Sequence, residues 1–229
     1  MGGNVFEIVD LTRRLSDRTL QFPGDERGLV MQRVDLGVPN VQLTHIAHLD
    51  LHLGTHIDAP LHFIPGGADV AGLGLALRPA VVVRTREREV PPSALPVVSL
   101  RDCAVLFDTG WTIDAESRAY FEGFPYLSLE TAAELVDRGA AVVGIDSPSV
   151  DPADSVMKCA AHRALLSAGI PIVEGLCNLD RIPREVGPLW FAAFPLKIDG
   201  AEGSPVRAAI LFAPPNKPHR RDRRSGWTK

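Results

Sequence analysis

The stretch Thr44-His-Ile-Ala-His48-Leu-Asp50-Leu-His52-Leu-Gly-Thr-His56-Ile-Asp58-Ala-Pro60-Leu-His62 decides how this chain of 229 residues is read. Its even positions up to His52 are Thr44, Ile46, His48, Asp50 and His52, and its odd positions from Ala47 to Leu53 are apolar. Alternation of this kind is that of a β-strand, so a strand is predicted over Thr44–Leu53 with one apolar face and one face bearing His and Asp. Gly54 and Thr55 interrupt the pattern. His56 and Asp58 follow two apart and project to the same side of an extended chain. Pro60 then bends the chain and removes a donor, and His62 comes next.

Outward from this segment, short apolar runs rich in Val and Ile predict further strands at Val5–Leu11, Val30–Leu36, Val81–Val83, Ala104–Phe107, Ala141–Ile145, Ile170–Val173, Phe191–Ile198 and Val206–Phe212. Ser128 is placed to cap a helix running to about Arg138, which Gly139 stops, and a second helix is expected from about Ser155 to Ala168, stopped by Gly169. Residues 84–95 mix charges with Pro91 and Pro92 and read as a surface connection. Strands mixed with a few helices predict an α/β fold, a single compact domain with a mixed β-sheet and a few flanking helices.

Three imidazoles and a carboxylate within eleven residues form a dense set of nitrogen and oxygen donors without a nearby thiolate, which suits zinc or manganese. His52, His56 and Asp58 could supply three ligands and leave a position open, the arrangement of a catalytic rather than a structural site. A divalent cation there lowers the pKa of water enough to make it nucleophilic near neutral pH. His48 shares the side of the strand that bears the ligands and could orient them. His45 falls on the opposite face and reads as structural.

Composition sets the frame. Hydrophobic residues make up 45% of the chain and charged ones 23%, as in an ordinary globular protein. The net charge of -4 is unevenly spread: Pro214–Lys229 carries +5, which leaves -9 on the rest. An acidic body argues against nucleic-acid binding, and the basic stretch 214–229 reads as a flexible tail after a domain spanning 1–213. The three cysteines, Cys103, Cys159 and Cys177, are odd in number and far apart, so reduced thiols are expected. No apolar run approaches a membrane span and no leader pattern opens the chain, so a cytoplasmic protein is expected. No phosphate-cradling Gly-rich loop and no nucleophile elbow are present.

The string from His52 to His62 resembles the signature of the cyclase family of metal hydrolases, which includes bacterial kynurenine formamidases (arylformamidases) and isatin hydrolases. Phe22-Pro-Gly-Asp25 is similar to the family's early loop, Asp108-Thr-Gly-Trp111 to a strand end, Gly144-Ile-Asp-Ser-Pro-Ser-Val-Asp151 to its middle motif, and Gly203-Ser-Pro-Val-Arg-Ala208 to its closing strand. The resemblance covers about residues 5–213. It implies a swivelling β/β/α-like fold in which His52, His56 and Asp58 bind one metal ion. Asp58 would bridge to a second ion held by His162 and Glu174, and His62 would be the catalytic acid/base. The ions implied are Zn2+ or Mn2+, one or two per subunit. The implied reaction is hydrolysis of an amide, formamide, lactam or lactone, with N-formylkynurenine the leading specific substrate. Isatin-like lactam opening, or a metal-dependent cyclase or dehydratase reaction, are the alternatives. Phe22, Phe63 and Trp111 would wall a pocket for a planar ring. The substrate is expected to be a small aromatic or cyclic molecule, and the chain a homodimer or homotetramer.

Overall fold

The computed structural model describes residues 6–22, 28–153 and 159–214. Val5, residues 23–25 of the early loop, residues 155–158 of the second helix and almost the whole basic stretch 214–229 lie outside the described residues. Twelve strands occur among those described: β1 (Glu7–Asp10), β2 (Leu29–Val34), β3 (Leu43–Leu49), β4 (His56–Asp58), β5 (Arg78–Arg84), β6 (Glu89–Val90), β7 (Ala104–Asp108), β8 (Tyr126–Leu127), β9 (Val142–Ile145), β10 (Ile172–Glu174), β11 (Leu189–Pro195) and β12 (Gly203–Phe212). Helices α1 (Leu129–Asp137) and α2 (Ala160–Ser167) complete the frame. No helix among these residues is long and apolar enough to cross a membrane.

The main sheet runs β1-β12-β11-β5-β7-β9-β10-β4, and β4 also pairs with β12. That last pairing closes seven strands into a barrel, with β1 added outside on β12. The expected single α/β domain with a mixed sheet is thus present, but the sheet is a closed ring rather than an open layer. The strand that closes it is only three residues long, too short for a hydrophobic pattern to announce. Its partner β12 starts at Gly203, earlier than its apolar run suggests, and so has a free length to offer β4.

β5, β7, β9 and β10 are mutually parallel, which demands crossovers, and α1 and α2 lie in two of them. Alternation along β7 divides the core. Ala104 and Leu106 face a cluster with Ile57, Val173, Phe191 and Ile210, the barrel interior. Val105 and Phe107 face Leu135, Ile145, Leu165 and Ile172, the layer under the helices. Ser128 caps α1 by accepting the Thr131 N–H at 3.1 Å, and Gly139 leaves it at φ +72°. α2 begins at Ala160, and the carboxylate that caps it comes from a distant loop: Asp151 accepts the N–H groups of Ala161 and His162, each at 2.9 Å. The connection 84–95 carries β6, which pairs in parallel with β8.

The predicted strand Thr44–Leu53 requires correction. β3 stops at Leu49 because Asp50 makes a local turn, its Oδ1 accepting the His52 N–H at 2.7 Å. β3 pairs only with β2, in a separate two-stranded sheet that leaves Met31 and Ile46 exposed. His45 is exposed on this hairpin. His48 stays there too, opposite Val30, with Nε2 enclosed and unpaired. No hydrogen bond among the described residues joins it to His52, His56 or Asp58.

Candidate metal centre

β4 sets the site. Its three residues are buried and hydrogen-bonded along both edges, with His56 opposite Glu174 of β10 and Asp58 opposite Gly203 of β12. Residues directly opposite on antiparallel strands share a face, so His56 and Glu174 emerge together while Ile57 and Val173 turn into the barrel. His52 reaches in from the turn before β4, His62 from the 3-10 turn Pro60–His62 after it, and His162 from the first turn of α2.

Asp58 lies at the centre. Its Oδ1 is 2.9 Å from His52 Nδ1 and 3.4 Å from His56 Nε2, and its Oδ2 is 3.4 Å from His162 Nε2. Glu174 bridges the same rings, 3.6 Å from His56 Nε2 and 3.2 Å from His162 Nε2. The far nitrogens are held from behind: His56 Nδ1 is 3.1 Å from the Gly54 carbonyl and His162 Nδ1 is 2.7 Å from Asp151 Oδ2. Each ring is thus held through Nδ1 and turns Nε2 towards Asp58 and Glu174, the kind of outer support that orients imidazole ligands in metal sites. Glu174 is itself fixed by the Val150 N–H at 2.7 Å. Gly175, at φ +66°, allows the chain to leave β10 past Gly54, whose carbonyl oxygen would lie 2.4 Å from a Cβ.

These donors fit a cation. Asp58 Oδ2 is fully enclosed and accepts no hydrogen bond, so its accepting capacity is not filled by the protein's own donors. Burial opposes its charge, yet His56, His162 and His52 hold the Asp58 carboxyl well below its ordinary range. The imidazoles respond in kind. Burial disfavours a charged His52, but Asp58, Glu202 and Asp50 outweigh it and raise the ring to about 9. Against the same burial, Glu174, Asp151 and Asp58 lift His162 well above its usual value. The cluster therefore demands positive charge, which a divalent cation would supply. His52, His56 and Asp58 bring ligand atoms within 4.8 Å of one another, and so do Asp58, His62 and His162. His52, His62 and Glu202 do so as well, as do Asp151, Cys159 and His162, and Asp58 is common to the first two of these four groups.

His62 differs from the others. Its ring lies 4.3 Å from that of His52 and 6.0 Å from that of His162, and burial, its largest influence, pushes its pKa down. A neutral ring beside the ligand cluster can take a proton.

The site opens into a cavity of about 460 Å³. Phe22 and Phe63 line it, together with Tyr120 and Phe121, which sequence reasoning missed. Phe63 stacks at 4.9 Å on His162, and Phe22 meets Phe121 edge-on at 5.6 Å. Trp111 does not join them. Its indole N–H donates to the Tyr120 carbonyl at 3.2 Å, and it borders a separate cavity with Arg86 and Asp146. The loop 109–111 is turned that way by Asp146, whose Oδ2 accepts three consecutive N–H groups. Asp151, Asp50 and Glu202 also reach the cavity and were given no role from sequence. Asp151 stood in the quoted middle motif, and Glu202 directly precedes the quoted closing one.

Comparison with known proteins agrees with this geometry. Residues 9–152 match the family described as "Putative cyclase". The kynurenine formamidase of Geobacillus thermodenitrificans is 35% identical over 212 residues, 88% of this chain and 96% of that protein. The one from Salinibacter ruber is 35% identical over 216 residues, 90% and 98% of the two chains. Among solved structures, isatin hydrolase A from Ralstonia solanacearum superposes with a TM-score of 0.78 at 25% identity, covering 90% of this chain and 92% of its own. A cluster of imidazoles and carboxylates around the strand that closes a barrel, with relatives of this identity along nearly their whole length, leaves one conclusion: the chain belongs to the cyclase family of metal-dependent hydrolases.

Proposed function

We propose that the protein hydrolyses an aryl formamide of the N-formylkynurenine type, releasing formate and the free arylamine. The observation that carries this reading is Asp58, a buried carboxylate with one oxygen that accepts no hydrogen bond, placed among three imidazoles. The names of the relatives at 35% identity support the choice of formamide.

In this reading His52, His56 and Asp58 would hold one divalent ion, and Asp58, His162 and Glu174 would hold a second. Zinc and manganese both suit this donor set. The bound metal supplies Lewis acidity and acidified water. His62 takes the proton from the attacking water and returns it to the leaving nitrogen. Water adds across the C–N bond, hydroxyl to the formyl carbon and hydrogen to the amine. Phe22, Phe63 and Phe121 hold the aryl ring and keep bulk water off the reacting carbon.

The exposed apolar residues of the β2–β3 hairpin, Val30, Met31 and Ile46 among them, support self-association as a homodimer or homotetramer. Thiols at Cys103, Cys159 and Cys177, none in a disulfide, support a cytoplasmic setting. In the same reading residues 1–213 form the catalytic domain and 214–229 a basic tail.

The test is formate release from N-formylkynurenine, beside isatin and a simple lactone, by protein of measured zinc and manganese content before and after chelation. Turnover that depends on metal and favours the formamide is expected. Undiminished turnover after complete removal of metal would overturn the reading, and opening of isatin alone would replace it with lactam hydrolysis.

A further inference from the structure

The aromatic wall of the cavity and the candidate ligands stand on different parts of the chain. Tyr120 and Phe121 line the cavity from the 3-10 turn Arg118–Phe121, at the end of a loop that leaves β7. His56, Asp58 and Glu174 stand on β4 and β10, within the barrel. A planar ring held by the wall meets the reacting centre in a productive pose only if these two parts keep a fixed separation.

One side chain touches both. Towards the ligands, the Arg13 backbone N–H donates to Thr55 Oγ1 at 2.9 Å and its Nε–H to the Gly175 carbonyl at 3.1 Å, and the Thr55 hydroxyl donates to that same carbonyl at 2.7 Å. Thr55 directly precedes His56 and Gly175 directly follows Glu174. Nη2 also donates to the carbonyls of Asp146 and Leu176, at 3.3 and 3.4 Å. Towards the wall, Nη1 donates to the Ile113 carbonyl at 3.2 Å and Nη2 to that of Trp111 at 3.5 Å. The guanidinium lies over the Tyr120 ring, 4.8 Å from its centroid, an arrangement in which the face of the ring attracts the cation. Tyr120 is buried and its hydroxyl makes no hydrogen bond, so packing and this cation place the ring, not its polar end. The wall is also tied to the segment after Arg13, through the Leu20 N–H to the Ala115 carbonyl and the Ser16 hydroxyl to Glu116, but those bonds reach neither β4 nor β10.

We infer that Arg13 is a positioning residue: it fixes the Tyr120–Phe121 wall against the ends of the ligand-bearing strands and so sets where an aryl ring sits relative to the metal centre. It acts through Tyr120 and does not itself border the cavity. The planar fork of a guanidinium suits the task, because its donors point in several fixed directions at once while its face stays free to lie on a ring. This deepens the formamide reading, on which an aryl group as the occupant of the cavity rests.

Two hydroxamates test it by calorimetry on metal-loaded protein. Benzohydroxamate and acetohydroxamate both chelate a divalent ion, and only the first carries a ring for the wall. The parent should bind benzohydroxamate more tightly, and in Arg13→Met that advantage should shrink by about tenfold. Acetohydroxamate affinity and metal content should stay those of the parent. For N-formylkynurenine, KM should rise by about as much while kcat stays within about threefold. Hydrogen exchange reads the anchoring without any ligand: amides at 111–121 should exchange faster in Arg13→Met, and those of β9 and β10 at the parent's rate. Should Arg13→Met fail to fold, Arg13→Lys keeps the charge but not the fork and carries the same comparisons. Equal binding of the two hydroxamates by the parent overturns the inference, as does an advantage that survives the substitution or unchanged exchange at 111–121. Equal weakening of both hydroxamates, or loss of metal, also overturns it and makes Arg13 a general support of the fold. If the parent releases no formate from N-formylkynurenine, the formamide reading fails, and the hydroxamates decide the role of Arg13. If neither hydroxamate binds the parent, hydrogen exchange decides it.

Discussion

Gly203 lies so close to the His52 ring that a Cβ on it would sit 2.6 Å from the imidazole Cε1. The glycine is opposite Asp58 in the β12–β4 pairing, so the strand that supports the Asp58 carboxylate also makes room for the His52 imidazole. Gly203→Ala should push His52 off Asp58 while leaving the β12 pairing in place. We expect metal affinity to fall about 10- to 100-fold, the range for a disturbed ligand support. A metal titration checks it, and affinity equal to the parent's would show that the ring is free to move aside.

Asp151 ties α2 to the site by accepting two backbone N–H groups and the His162 ring. Asp151→Asn keeps one oxygen for the helix but weakens the charge behind His162. The expected result is about 10- to 100-fold weaker binding of one metal equivalent, with an unfolding free energy lower by about 1 kcal/mol for the impaired cap. Elemental analysis against a dilution series of metal measures the first and urea denaturation the second.

His62 touches the ligand cluster through its ring contact with His52, yet no hydrogen bond among the described residues occupies its nitrogens. His62→Ala should retain bound metal and lose turnover by about 100- to 10,000-fold, the usual worth of a positioned acid/base. Coincident loss of metal would reassign His62 as a ligand.

Asp146 predicts a pH dependence of stability. Burial, ahead of the hydrogen bonds from Thr109, Trp111 and Gly110 that oppose it, lifts its pKa to about 6 from 3.8. The folded chain therefore holds this proton more tightly than the unfolded chain. The stability it adds is complete below the unfolded value and is lost as pH rises through about 6. The full effect is at most about 3 kcal/mol. Asp146→Asn removes the titration and leaves an oxygen for the three N–H groups of the loop. Relative to the parent, the variant should gain stability as pH is raised from about 5 to 7, read from urea midpoints at each pH. A constant difference across that range would exclude Asp146 as the titrating group.

The sequence speaks most clearly where spacing is local. His56 and Asp58 stand two apart, and β4 puts both on one face as period two requires. The helix capped by Ser128 and stopped by Gly139 is equally local. His162 and Glu174 have no such spacing to the histidine motif, because a crossover and a strand pairing bring them in, and only the family resemblance joined them to it. The extended reading of Thr44–Leu53 failed at Asp50, where a side-chain turn overrode an unbroken alternation. Trp111, the last residue of the Asp108–Trp111 strand-end motif, was expected to wall the pocket, but the hydrogen bonds of Asp146 turn its loop away. Tyr120 and Phe121 sit on a 3-10 turn whose sequence has no periodicity to mark it.

Because β4 is bonded along both edges, the candidate metal centre and the barrel share a seam. A ligand that binds only the folded state raises its stability by RT ln(1 + [L]/Kd), so stripping the metal should loosen the closure between β10 and β12 as well as stop catalysis. The aromatic walls are attached differently. Phe22 and Phe121 stand on connections outside the barrel. Their replacement should leave the seam untouched, so the pocket wall can vary while the imidazole and carboxylate cluster stays locked into the joinery of the fold.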